Sequence, residues 1–104
     1  NVPTAVIAAY DYVAIGAMKS IYEHGLRIPD DISIIGSDDI KENPYLNVPL
    51  TSITTYIEDL CQIAVDMLFE SISLGGTCTV KTVKVSAELI KRKSVGKIKK
   101  EKKI

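Results

Sequence analysis

The chain has 104 residues, 46% hydrophobic and 25% charged, with 13 basic and 13 acidic side chains and a formal net charge of zero, which fits one small globular core and no more. That balance argues against a broad basic face for gripping nucleic acid, and no apolar run approaches the length of a membrane span. Cys61 and Cys78 are too few for a disulfide framework and have no Cys or His at metal-ligand spacing, so no metal or cofactor is expected and a reducing cytoplasm is the simpler setting.

Asn1-Val2-Pro3 opens the sequence without Met or a charged-then-apolar leader, and we read the chain as a piece whose true amino terminus lies elsewhere. Thr4 to Ala9 is a nearly continuous apolar run, the pattern of a strand buried on both faces. Asp11 follows as a helix N-cap, and Ala14, Ile15, Met18, Ile21 and Tyr22 recur at helical spacing. Gly25 closes this helix in the left-handed position, Leu26 supplies the hydrophobic contact behind it, and Pro29 stops continuation. Ile32-Ser33-Ile34-Ile35-Gly36 is a second strand. Strand, helix and strand form a βαβ unit with parallel strands, so the expected fold class is α/β, a Rossmann-like parallel sheet.

From Ile40 to Leu50, Pro44 and Pro49 limit the chain to a loop with a helical turn, and Thr51 to Thr54 is extended. Thr55-Tyr56-Ile57-Glu58 has the capping-box pattern. Behind it Ile57, Leu60, Cys61, Ala64, Leu68 and Ile72 make one apolar helical stripe, ended by Gly75-Gly76, and Cys61 is expected to be an inert buried thiol. Thr79 to Val85 alternates as a half-exposed strand that Glu88 to Arg92 continues or repeats. Positive charge concentrates in Lys91-Arg92-Lys93 and in the lysines from Lys97 to Lys103, and residues 96–104 are expected to be a disordered basic tail.

In open parallel sheets ligands bind beyond the carboxyl ends of the strands. Tyr10 and Asp11 follow the first strand, and Ser37, Asp38 and Asp39 follow the second, so one rim collects an aromatic ring and several carboxylates. Asp38 and Asp39 are adjacent, and in an extended chain they point to opposite faces, which makes them a poor acid/base pair. Asp39 is expected to stabilise the loop, Asp11 to cap the helix before serving as a ligand, and His24 to sit against the partial negative charge of a helix end. Acids on such a rim also occur in magnesium-dependent receiver and phosphoryl-transfer domains. Here a second acidic cluster, a lysine after a later core strand and a glycine-rich phosphate loop are all missing from the sequence. An enzyme is not expected.

The segments from Pro3 to Asp11, Ala14 to Met18, and His24 to Asp39, then Pro49 to Ile53 and Leu89 to Ser94, together resemble the LacI/GalR family of bacterial transcription repressors. The resemblance covers almost everything but the last ten or so residues. It implies the carboxyl-side portion, residues 1–95, of a sensing domain with the type I periplasmic-binding-protein-like fold. In that reading residues 55–74 form a helix of the amino-side lobe, the rest of which lies outside this chain with the helix-turn-helix headpiece. The implied partners are a small polar effector such as a sugar, a second copy of the protein, and operator DNA through the headpiece alone; no membrane is implied. Asp38 is the implied acceptor for sugar hydroxyls. Tyr10 stands where the family often has an effector-bonding asparagine, and a ring can pack on a sugar but cannot replace an amide's paired donor and acceptor. Ser37 replaces a frequent aromatic. Ligand candidates are therefore Asp38, Tyr10 and Asp11, and the resemblance places Ile15, Met18, Lys19, Tyr45 and Leu46 in a dimer interface. A periplasmic sugar-binding protein of the same fold is the alternative.

The α-helical stripe from Ile57 to Ile72 needs a cover, which also favours self-association. With no recognition helix in the sequence, this chain should show no operator-selective retardation in a mobility-shift assay, and any lysine-driven retardation should vanish with added salt.

Overall fold

The computed structural model describes residues 2–77 and 79–99. Residues up to Thr54 together with those from Leu89 onward form one compact unit, and Thr55 to Glu88 form a second. Elements follow in the order β1 (Ala5–Ile7), α1 (Asp11–Glu23), β2 (Ser33–Ser37), a 3-10 turn (Asn43–Tyr45), β3 (Thr51–Thr54), α2 (Ile57–Ser73) and β4 (Glu88–Ile90). One sheet runs β1-β2-β3-β4, with β1 and β2 parallel at Val6 opposite Ile34 and β2 and β3 parallel at Gly36 opposite Ser52. This is the α/β parallel sheet that the strand-helix-strand spacing predicts.

In the first unit α1 packs on the sheet through Ala14 and Met18, with Ala17 and Ile21 beside them, a spacing that keeps one helical face inward. Ala8, Ile28, Ile34 and Leu50 complete the core. Tyr22, expected on the inner stripe, is exposed at its margin, and burial of the part it does cover raises its phenol pKa. The helix ends as anticipated: Gly25 has φ +72°, its N–H donates to the Tyr22 carbonyl, and the Leu26 N–H donates to the Ile21 carbonyl, the paired bonds of a Schellman cap. His24 Nδ1 donates to the Ser20 carbonyl at 2.8 Å.

Several sequence expectations are corrected. β1 is not covered on both faces: Ala5 is exposed and Ile7 is 78% exposed, because α1 shields only the side that carries Val6 and Ala8. Asp11 is the first residue of α1 and not its cap; Tyr10 holds that position, with no side-chain hydrogen bond. Nor does the capping box form, since α2 begins at Ile57 after a left-handed Tyr56 with φ +50° and no capping side chain. Residues 79–87 carry no strand ladder, and only Glu88–Ile90 pairs. Cys61 is exposed, not buried, and Cys78 lies outside the described residues.

In the second unit none of α2's residues is buried. Leu60, Ile63, Ala64 and Met67 face Thr82, Val83 and Val85 of the following segment across a shallow groove. Ile57, Leu68 and Ile72 of the expected stripe are 60%, 58% and 63% exposed, so the chain's own return covers a neighbouring face instead. The helix ends at Gly75 and Gly76, with φ +64° and +77°.

Gly96, the first residue of the expected tail, is tied into the first unit, as is Ser94 just before it. Ser94 is fully buried and bridges two strands: its carbonyl accepts the Ile34 N–H, its hydroxyl donates to the Ile34 carbonyl at 2.6 Å and accepts the Thr51 N–H at 2.8 Å. Gly96 then donates its N–H to Ser33 Oγ at 3.0 Å and stands against Pro29, where a Cβ would approach the proline ring to 3.1 Å. Residues 100–104 of that expected tail lie outside the described residues.

Gly36 supplies a sharper constraint. A Cβ there would fall 2.0 Å from Asp11 Oδ1 and 3.1 Å from Leu50, so only glycine lets the buried carboxylate lie against β2. Gly36→Ala should destabilise this chain by about 1–3 kcal/mol, by overpacking and by dislodging hydrogen-bonded polar groups. Gly16→Ala is the control: nothing lies within 4 Å of its Cβ position, and on an exposed helical site alanine should add about 0.5–1 kcal/mol. Urea unfolding of both variants checks the contrast.

Candidate functional site at the carboxyl rim of the sheet

The carboxyl ends of β1, β2 and β3 lie along one edge because the three strands are parallel and in register. Beneath that edge sits Asp11, with no exposed surface. Its Oδ1 accepts the Ser52 hydroxyl at 2.7 Å, and its Oδ2 accepts Asn43 Nδ2 at 2.7 Å and the Ile40 N–H at 2.9 Å. A buried carboxylate is tolerated only when such donors replace water. The three donors come from β3, from the 3-10 turn and from the loop after β2, so one side chain at the start of α1 joins all three. Asn43, itself fully buried, keeps its Oδ1 without a hydrogen-bond partner in the structure.

Ser52 extends the network, for its oxygen also accepts the Asp39 N–H at 3.1 Å. The Asp38 N–H donates to the Ile53 carbonyl at 2.9 Å. Between these anchors Asp38 and Asp39 have φ +105° and +54°, so the chain is left-handed here and not extended, and the opposite-face geometry expected of adjacent strand residues does not apply. Two consecutive non-glycine residues in this region cost on the order of 1–3 kcal/mol each and persist only where the surroundings hold them. Asp39 pairs with Arg92, whose Nη2 lies 2.7 Å from Asp39 Oδ1, with the two side chains only 22% and 16% exposed. Asp38 is exposed, and its carboxylate meets solvent at the end of β2.

Tyr10, 59% exposed, occupies the same edge at the end of β1. Of the three ligand candidates, Asp38 and Tyr10 are therefore accessible on the rim, while Asp11 is sealed beneath it. Ser37 is half-buried at the end of β2. On the outer side of α1 the structure brings Ile15, Met18, Lys19 and Leu46 together around a groove of about 300 Å³, with Tyr22 and Glu23. Within that set Met18 is a core residue, 4% exposed, and Tyr45 stands apart from the lining at 87% exposed.

Ser52, Asn43, Ser94 and Arg92 were not singled out in the sequence. Arg92 is masked by Lys91 and Lys93, which make the triplet read as a solvated charge run, and Ser52 by its threonine neighbours. Besides Tyr22 on α1, the shifted titrations belong to the turn before β2, at the opposite end of the sheet. There the Arg27 side chain, hydrogen-bonded to Asp31 at 3.0 and 3.2 Å, lowers the Asp31 carboxyl pKa, and that same bond raises the pKa of Arg27. Among the described residues no group of three or more His, Cys, Asp or Glu could hold a metal ion, and no helix is long and apolar enough to cross a membrane.

The periplasmic binding protein-like domain family matches residues 1–95. The transcriptional regulator GanR of Bacillus subtilis is 39% identical over 95 residues, 91% of this chain and 28% of GanR. The repressor PurR of Histophilus somni is 40% identical over an equal span, again 28% of its own length. Among solved structures, a LacI family regulator from Enterococcus faecium with bound ribose superposes with a TM-score of 0.85 at 30% identity, covering 95% of this chain and 37% of that one. The lac repressor dimer bound to operator and the anti-inducer ONPF gives 0.79 at 38% identity, covering 90% and 32%. This chain thus spans less than a third of the length of those curated relatives, which are named as transcriptional regulators and not as enzymes. With the parallel sheet, these matches establish that the chain belongs to the periplasmic binding protein-like domain family, in its LacI/GalR effector-binding branch.

Proposed function

We propose that this chain is the carboxyl-side part of the effector-sensing domain of a cytoplasmic transcription repressor, and that Asp38 and Tyr10 contact a sugar or a similar small polar metabolite. The observation that carries the reading is Asp38, a left-handed residue anchored by its backbone to β3 while its carboxylate stays exposed. A carboxylate acceptor on an anchored backbone suits a ligand rich in hydroxyl donors. Tyr10 offers an exposed ring at the end of the neighbouring strand β1, and Asp11 acts from below by holding the loops in place. Similar regulators support the ligand class: the Enterococcus faecium protein holds ribose, and a Lactobacillus casei regulator, 28% identical, holds sucrose in one structure and glucose in another. Operator binding would belong to a helix-turn-helix outside this chain, and effector occupancy would change its affinity for DNA.

We further propose that the whole regulator pairs as a homodimer through the outer side of α1 and the loop at Tyr45 and Leu46. A largely apolar groove lined by Ile15, Met18 and Leu46 supports it, as does the dimeric state of the similar lac repressor.

Both parts are testable in the full-length regulator. Calorimetry with ribose, glucose and sucrose should find a binder among them, and Asp38→Ala should weaken that sugar by about 1.5–3 kcal/mol, the loss of a charge-assisted hydrogen bond, without lowering the melting temperature. Unchanged affinity would remove Asp38 from the site. In sedimentation over a wide concentration range the protein should have twice the chain mass, and Tyr45→Ala, at a position too exposed to matter for folding, should weaken the dimer at least tenfold.

A further inference from the structure

The Asp38–Asp39 loop is held by the Ile53 carbonyl and by Ser52 Oγ, itself bonded to Asp11, and the two contacts on the loop fix backbone N–H groups only. One side-chain contact fixes where the loop's second carboxylate goes. We propose that Arg92 is the positioning residue of the rim: its guanidinium draws the Asp39 carboxylate inward and so selects the left-handed loop in which Asp38 alone faces solvent. This deepens the effector reading of Asp38 given above and rests on it for its functional meaning.

Arg92 is built for that role by its own anchors. The chain re-enters the first unit along β4, and two residues after that strand the Arg92 N–H donates to Thr51 Oγ1 at 2.9 Å. Nη1 donates to the Leu50 carbonyl at 2.8 Å, and Nη2 stands 2.7 Å from Asp39 Oδ1. Main chain and side chain are thus both tied to the start of β3, which leaves Nη2 to reach the loop after β2. A planar fork with fixed donors can do this, whereas a lysine ammonium would serve one direction at a time. The pair is mostly shielded from solvent, so salt screens it less than an exposed ion pair.

The second consequence concerns charge. Unpaired, adjacent Asp38 and Asp39 would offer two anions and favour a cationic ligand; paired with Arg92, Asp39 is neutralised and the rim presents a single acceptor. That matches an uncharged polyhydroxyl ligand, with selectivity set by a residue that never touches it.

The test has two arms. In this chain, nuclear magnetic resonance should show that Arg92→Gln moves the three-bond amide couplings of Asp38 and Asp39 away from left-handed values. Exchange of the Asp39 amide should accelerate at least tenfold while amides of α1 and β2 stay protected. Arg92→Lys should restore part of that protection, which loss of packing alone would not predict. Should Arg92→Gln fail to fold, Asp39→Asn removes the same pairing from the other side and should give the same loosening. Unchanged couplings and exchange in a folded variant would overturn the proposal. In the full-length regulator, whichever of ribose, glucose or sucrose binds should lose at least tenfold in affinity with Arg92→Gln. A loosened loop with sugar affinity unchanged would overturn the contact role of Asp38 and leave the hold of Arg92 on the loop standing, so the two readings fail separately.

Discussion

The architecture of the first unit depends on a carboxylate with no access to water. Asp11 is worth burying because three donors from three separate segments converge on it, and each of those segments would otherwise be a loop end with little to fix it. Removing the donors would leave a desolvated charge, and removing the charge would leave donors unpaired; either loss is costlier than the same bonds are worth on the surface. The requirement reaches into the sheet, since the carboxylate fits only against a glycine at position 36. It reaches outward as well. Ser52 donates to Asp11, which leaves its lone pairs free for the Asp39 N–H, so the buried acid bears on the exposed rim through that hydroxyl and through the Ile40 N–H.

How much of this the sequence discloses depends on whether a signal is periodic or relational. Apolar recurrence in α1, the Gly25 stop and the strand from Ile32 to Gly36 are local patterns, and the structure follows them closely. The Asp11 network is relational: its members lie 29, 32 and 41 positions away, and nothing in the spacing of Asn43 or Ser52 marks them as partners of an acid near the start of the chain. Arg92 is hidden in the same way, because a basic triplet gives no hint that its middle member turns inward. Where the sequence pointed to burial that the structure lacks, as at Ile7 and Cys61, the apolar pattern was real but the surface that would cover it is not supplied by the described residues. Periodicity reports which face is apolar and is silent about what meets it.

That distinction separates the two units. Every group that shapes the rim, from Asp11 and Asn43 through Ser52 and Asp39 to Arg92, belongs to the first unit, whose core is closed around Met18, Ile34 and Leu50. The second unit is a single helix with its return segment, and the large side chains on its outer face remain half or more exposed, Phe69 at 64% among them. A two-element unit of this kind buries too little apolar surface to offset its own ordering entropy by much.

The consequence for ligand recognition follows from where rigidity resides. Strain at Asp38 and Asp39 is sustained by bonds inside the first unit, so in the proposed effector role of Asp38 the acceptor would be preorganised before any ligand arrives, with little ordering cost charged to binding. A rim of this kind can set direction and charge for a ligand, but an exposed carboxylate still competes with water at high dielectric, where a charge-assisted bond is weak. Strong binding at the proposed site would therefore need a second surface to exclude solvent above Asp38 and Tyr10. The same surface, by meeting the ligand only when it is present, would turn occupancy into a change of domain geometry.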